Sequence, residues 1–363
     1  MGIVVTYAAP GSTDEHERAT HSAVAKTLAE LKGFEFGGEY DPARRYGAAL
    51  YFVPSATLLV DAAQALGIRG KDDLFGGVVP ASFVATKAIV HPLVAPDAQA
   101  PAGWSAAFAE EVRPAVLPGF CAFSLRDARR AGLELLREGR IRLKPAQGVG
   151  GHGQRVVKDE AELESALGSL DRAELERCGL GVELDLEEAI TYSVGQVWAA
   201  GLLATYCGTQ RSTRNNRGAA VFGGSDLIVV RGGYDELTAL PLSAEMRIAI
   251  GQARAFDSAA GRFAGMFASR RNYDAVRGRD SRGRQHAGVL EQSWRIGGAS
   301  TAEVAALAAF AVQPRLRAVR ACCTEAYGRG SPPPGASVHF DGVDRRIGPL
   351  TKYAVVEKHE ISR

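Results

Sequence analysis

Two acidic residues and an arginine in "NYDAVRGRDSRGRQHAGVLEQSWRIGG" carry the clearest chemical signal. Asp274 and Glu291 fall on two β-rich runs, and the polar turn Asp280–Gln285 between them would pair those runs as neighbours. Two carboxylates brought together near a sheet face need a cation or a shared proton. Mg2+ suits oxygen ligands and usually bridges to substrate phosphates. Arg295 follows Glu291 by four residues, where a guanidinium could hold an acidic product or a phosphate bidentately. Asp280 and Arg282 read as turn residues. Glu291, between "GVL" and "SW", lies in a strand that otherwise looks buried.

A second stretch, "RLKPAQGVGGHGQRVV", places Gly148, Gly150, Gly151 and Gly153 after Lys144. Glycines there remove bulk where backbone must approach a ligand, and they let successive N–H groups turn inward as an anion nest. The spacing is not that of a P-loop, and the loop leads to a strand rather than a helix. Judged alone, a ligand-free hairpin is an equal alternative, and His152 has no assigned role. In a third stretch, Arg211, Arg214 and Arg217 recur every third residue of a polar, glycine-flanked loop. They could grip a carboxylate or phosphate, or form a solvated basic turn. No aromatic residues interleave them, which disfavours nucleic acid.

These residues need elements to position them. The first segment alternates "IVVTYA", a helix from Asp14 to Leu31, the strands "FEFGGEY" and "ALYFVP", and a helix "TLLVDAAQALGI", as a parallel α/β layer does. Pro92, Pro96 and Pro101 mark a crossing segment. A unit of helix ("LRDARRAGLELLREG"), strand, glycine loop, strand and helix ("DEAELESALGSL") follows. Beyond Gly181 the chain is strand-rich, with "TYSVGQVWAAGLLATYCGTQ" broken by a turn at Ala200-Gly201. A helix is expected from Ser243 into "FASRR", another at "TAEVAALAAFAV", and two short strands in the tail. The expected division is an N-terminal α/β domain (1–115), a small lid (116–180) and a C-terminal mixed-sheet lobe (181–363).

Composition bounds the class. The chain has 363 residues, 46% hydrophobic and 23% charged, with a formal net charge of +2, so it can bury a large core and has no basic block for nucleic acid. Arginine outnumbers lysine 35 to 8, which makes a lysine at a loop mouth more informative. Five cysteines without a C-x-x-C pair fit a reduced compartment. The N-terminus reaches acidic residues too soon for a secretory signal, and no apolar run is long enough for a bilayer, so a cytoplasmic protein without membrane contact is expected.

In order, these features resemble the ATP-grasp superfamily, and "ERATHSAVAKTLAELKG", "FGGVVPASFVATKAIVHPLVAPDA" and "VLEQSWRIGGAS" resemble an uncharacterised bacterial branch related to it. The resemblance implies an α/β front domain, a lid with a glycine loop, and an ATP-grasp lobe. It further implies ATP contacts from Lys87, Lys144 and the Gly148–Gly153 loop, an adenine hinge at Glu183, Leu184 and Leu186, and Mg2+ on Asp274, Glu291 and Ser293. Catalytic roles would fall to Arg295, Arg211 and Arg214. Ser293 stands where many members place Asn, and Thr191 where many place Glu, with Glu187 or Glu188 as substitutes. The implied activity is a carboxylate–amine ligase with small-molecule acid and amine substrates, in a possible homodimer. A nucleotide-binding regulator and a phosphotransferase of the same fold are the alternatives.

Overall fold

The computed structural model describes residues 2–8, 14–148, 153–328 and 330–358. Strand β1 (Gly2–Tyr7), helix α1 (Glu15–Lys32), β2 (Glu35–Glu39) and β3 (Ala49–Pro54) open the chain, with the strands parallel in the order β2-β1-β3. Glu15 and Glu17 lie in the first turn of α1, Lys32 in its last, and Gly33 ends it at φ 63°. β4 (Leu58–Leu59), α2 (Val60–Ala65) and β5 (Gly77–Val79) follow, so the expected helix "TLLVDAAQALGI" begins as a short strand. Two 3-10 turns, Ser82–Ala85 and Lys87–Val90, and α3 (Ala106–Val112) lead to the lid.

The lid comprises β6 (Gly119–Ala122), α4 (Leu125–Leu136), β7 (Ile141–Pro145), β8 (Arg155–Val157), α5 (Glu160–Gly168), α6 (Arg172–Cys178) and β9 (Leu180–Leu184). Its strands are antiparallel in the order β6-β9-β7-β8, and Leu143, Leu163 and Val182 sit in the core beneath α4 and α5. The side chains of Ser124 and Asp159 cap α4 and α5. The seven-residue α6 carried too short a period to be read from sequence.

The remaining elements are β10 (Glu187–Ala199), β11 (Leu202–Arg214), β12 (Ala220–Arg231), α7 (Tyr234–Thr238), α8 (Ala244–Ala260), β13 (Phe267–Ala268), β14 (Arg270–Arg279), β15 (Gln285–Ser293), α9 (Ser300–Val312), β16 (Ala318–Tyr327), β17 (Ser337–Asp344) and β18 (Gly348–Lys358). Apart from β13, which pairs with β5, their strands form one eight-stranded antiparallel sheet, β15-β14-β10-β11-β12-β16-β18-β17. The break at Ala200-Gly201 is the expected tight turn, both residues having positive φ (51° and 74°). Helix α8 stops at Ala260, so "FASRR" is strand rather than helix. The tail forms three long strands instead of two short ones. Phe256 and Tyr273 pack in the core under α8, whereas Tyr206 and Phe310 pack on the opposite face with α9 and α1. All five cysteines are free, and no helix among the described residues is long and apolar enough to cross a membrane.

An ion pair is buried between the sheet and α9. Arg270, 1% exposed, donates from Nε and Nη2 to Glu303, 0% exposed, at 2.9 and 2.8 Å. Removing one partner of such a pair costs about 3–5 kcal/mol, because the other charge stays buried. Glu303→Ala should lose stability of that order in urea unfolding. Arg270→Met/Glu303→Leu, which removes both charges, should recover part of it.

Candidate functional site

A cleft of about 1690 Å3 runs between the lid, the eight-stranded sheet and α1. Asp274 and Glu291 stand opposite each other in the β14–β15 register, as the polar turn between their strands implied. Asp280 closes that turn by accepting the backbone N–H groups of Arg282 and Arg284, each at 2.9 Å. Directly beyond the acidic pair the register shifts: Asp274 faces Glu291 but Ala275 faces Val289, leaving Leu290 as a bulge that lines the cleft. Bulges re-aim side chains and are common beside active sites.

Each carboxylate is held. Asp274 Oδ1 accepts from Asn272 Nδ2 at 2.9 Å and from Ser193 Oγ at 3.3 Å, and Ser193 in turn accepts from Gln210 Nε2 at 2.9 Å. Glu291 Oε2 lies 2.6 Å from Lys87 Nζ. Burial and the Lys144 ammonium push the Lys87 amine down to about 8, while the carboxylates of Asp274 and Glu183 pull the other way. Period-2 alternation on β15 explains how Glu291 and its neighbours are placed. Glu291 and Ser293 face the cleft, while Gln292 donates to the carbonyls of Val84 (3.0 Å) and Thr86 (2.6 Å). Gln292 therefore anchors the turn that carries Lys87.

Lys144 lines the cleft at the end of β7 and forms an ion pair with Glu183. Glu183 also meets His91 Nε2 at 3.1 Å. Burial alone would raise the Glu183 carboxyl; Lys144 and His91 outweigh it and hold the group down to about 2. His91 fits because residue 119 is glycine: a Cβ there would lie 2.7 Å from its ring. The carboxylate of Glu183 is thus consumed inside the lid, and neither it nor Leu184 nor Leu186 lines the cleft. Gly148 lines it; Gly153, at φ 75°, lies at the far end of the loop; Gly150, Gly151 and His152 fall outside the described residues.

The arginines separate. Arg295 lines the cleft, donates only to the Ile296 carbonyl (2.9 Å), and has no carboxylate within ion-pair distance among the described residues. Arg211 also lines it but is tied to Asp226 at 2.7 Å and to the Cys323 carbonyl at 3.0 Å. Arg214 departs from the expected role: it donates to Gly218 within its own hairpin turn and does not line the cleft. The Ser293 hydroxyl accepts from Arg270 Nη1 at 3.2 Å, which sets a guanidinium where a second cation would have to approach. Among the described residues no three His, Cys, Asp or Glu side chains gather as a metal cage. Asp274 and Glu291 nonetheless fit one Mg2+, which binds through one or two carboxylates with phosphates and water completing its shell. His91, Gln292, Arg270 and Glu303 escaped sequence reading, since each acts through a partner far away in the chain.

A glycine-looped antiparallel lid over a sheet bearing two adjacent acids is the ATP-grasp fold. Solved structures share it: phosphoribosylamine–glycine ligase from Thermotoga maritima (TM-score 0.52, 12% identity, 100% of this chain and 93% of that one) and biotin carboxylase from Campylobacter jejuni, solved as a β-γ-ATP complex (TM-score 0.51, 11% identity, 98% and 87%). Residues 4–354 match the family DUF3182, described as a protein of unknown function, and the chain belongs to that family. No curated protein matches the sequence.

Because the Glu183 carboxyl lies below its usual value of 4.5 in the folded chain, it contributes stability above that pH and loses it as pH falls toward 2. Urea unfolding across this window should show a shallower acid loss in Glu183→Gln than in wild type. Equal slopes would mean that Lys144 and His91 do not hold an ionised group.

Proposed function

We propose that this protein is an ATP- and Mg2+-dependent ligase that activates a carboxylate as an acyl phosphate for attack by an amine or another nucleophile. One observation carries this reading: the Asp274–Glu291 pair, Lys87, Lys144, Gly148 and Arg295, which has no ion pair among the described residues, converge on one cleft. That is the charge pattern a triphosphate and an acid need, with cations for the oxygens and paired acids for one Mg2+.

Lys144 and Lys87 are the cations for phosphate oxygens, and the loop from Gly148 to Gly153 is the cover that excludes water. The adenine would pack on the exposed apolar side chain of Ile190 in the cleft, and the segment 184–186 serves as its hinge only if it turns toward that cleft when nucleotide binds. Asp274 and Glu291 would hold Mg2+, which supplies charge neutralisation at the phosphates. Arg295 orients the acid. A carboxylate oxygen of the acid forms a bond to the γ-phosphorus and ADP leaves. The nucleophile then bonds to the acyl carbon, the carbon–oxygen bond to phosphate breaks, and the amine loses a proton. Water must stay out between these steps, because it would hydrolyse the acyl phosphate.

Calorimetry should detect ATP binding that tightens with Mg2+; no binding at roughly millimolar ATP by folded protein would overturn the reading. Glu291→Gln should keep the fold by circular dichroism and lose about 10²-fold or more in ATP turnover. Hydroxylamine should trap the activated acid as a hydroxamate. A phosphorylated product in its place would mark a phosphotransferase.

A further inference from the structure

The cleft exceeds what one nucleotide requires. Pockets for single small ligands run about 300–1,000 Å3, against about 1690 Å3 here. The lid and the acidic pair lie toward the β15 edge of the sheet. Part of the remaining lining comes from the first turns of α1 and from β16–β18, toward the opposite edge.

That half is built for charge. Lys352 and Glu325 face each other in the β16–β18 register and pair at 2.7 Å, with side chains only 12% and 16% exposed. His339 is the bulged residue between Val338 and Phe340 of β17. His16, 5% exposed, packs edge-on to Phe340, and its Nδ1 lies 3.5 Å from Lys352 Nζ. An ammonium only donates, so Nδ1 is the acceptor and the ring proton belongs on Nε2. Among the described residues that nitrogen is buried without a partner, as is His339 Nε2. His21 completes the wall. Burial and then Lys352 lower all three imidazoles, His21 to about 4 with Arg295 adding to the effect. Glu17, Glu325 and Asp344 pull His16 the other way without prevailing. The imidazoles are therefore neutral and add no positive charge, but they offer N–H donors beside Lys352 and the unpaired Arg295.

We propose that this half of the cleft is the acceptor subsite, and that the nucleophile it takes carries an anionic group, a carboxylate or a phosphate. Lys352 supplies the charge and His16 a donor, while Arg295, which orients the acid, borders the subsite. The assignment rests on the ligase reading for its role, while the anion site itself stands on the geometry.

The test titrates the full chain, saturated with Mg2+ and ADP, calorimetrically with inorganic phosphate and separately with malonate. At least one should bind. Lys352→Gln should weaken that binding about ten-fold. Lys352→Gln/Glu325→Gln, which keeps a neutral pair of the same shape, should still weaken it about three-fold or more, with Mg·ADP affinity unchanged. Phosphate alone binding would mark a phosphorylated acceptor, and malonate alone a carboxylate-bearing one. Binding of neither, or wild-type affinity in the double variant, would overturn the subsite. Failure of Mg·ADP to bind would instead count against the ligase reading, and the same titrations on the nucleotide-free protein would still decide the anion site.

Discussion

The buried pair of Arg270 and Glu303 is the constraint on which the cleft depends. Arg270 opens β14, Glu303 sits in α9, and the guanidinium also donates to the carbonyls of Ser293 and Arg295 at 3.2 and 2.5 Å. Glu303 in turn receives the Tyr206 hydroxyl at 2.5 Å, and the same hydroxyl lies 2.8 Å from Asn272. Two charges in the interior are tolerated only when nearly every donor and acceptor is satisfied. Satisfying them locks four elements, β11, β14, the end of β15 and α9, into one relative placement. Asp274 is two residues from one end of that lock and Glu291 two residues from the other. Their separation follows from it.

Several cations that line the cleft are held by acids, whether or not the acid itself lines it. Glu291 has Lys87, Glu183 has Lys144 and His91, Glu325 has Lys352, and Asp226 has Arg211. Arg295, by contrast, has only a neighbouring carbonyl among the described residues. Like-charged groups at close quarters are unfavourable, and burial sharpens the penalty. Lys87 answers it with a lowered pKa and a bond to Glu291. Phosphate or carboxylate oxygens would answer it for Arg295. Both halves carry a lysine paired with an acid, and the neutral imidazoles at the β16–β18 edge are what distinguish the two.

Local patterns in the chain were legible where they rest on short-range physics. The turn at Ala200-Gly201, the capped helices of the lid, the β7–β8 hairpin around the glycines and the Asp274–Glu291 pairing all follow from period, turn chemistry and a polar connection of fixed length. Misreadings came where the period was short or shared. "FASRR" continued an apolar run past Ala260, yet pairing with β5 drew it into a strand. Glu183 is a separate case: the family resemblance set it at an adenine hinge. Antiparallel pairing of β7 and β9 turned it instead toward Lys144 within the lid.

By itself, then, the sequence determined which residue types stand near one another along each hairpin and loop, and hence the class of chemistry: phosphate-binding cations, a glycine cover and two adjacent acids. Only the tertiary structure decided which of these side chains share a cavity. His91, Arg270, Glu303, His16 and Lys352 meet their partners across 92, 33, 33, 336 and 336 positions of the chain respectively. Contacts of such separation leave no periodic trace, because they are set by how layers pack and by which buried charges must find an opposite, not by the step from one residue to the next.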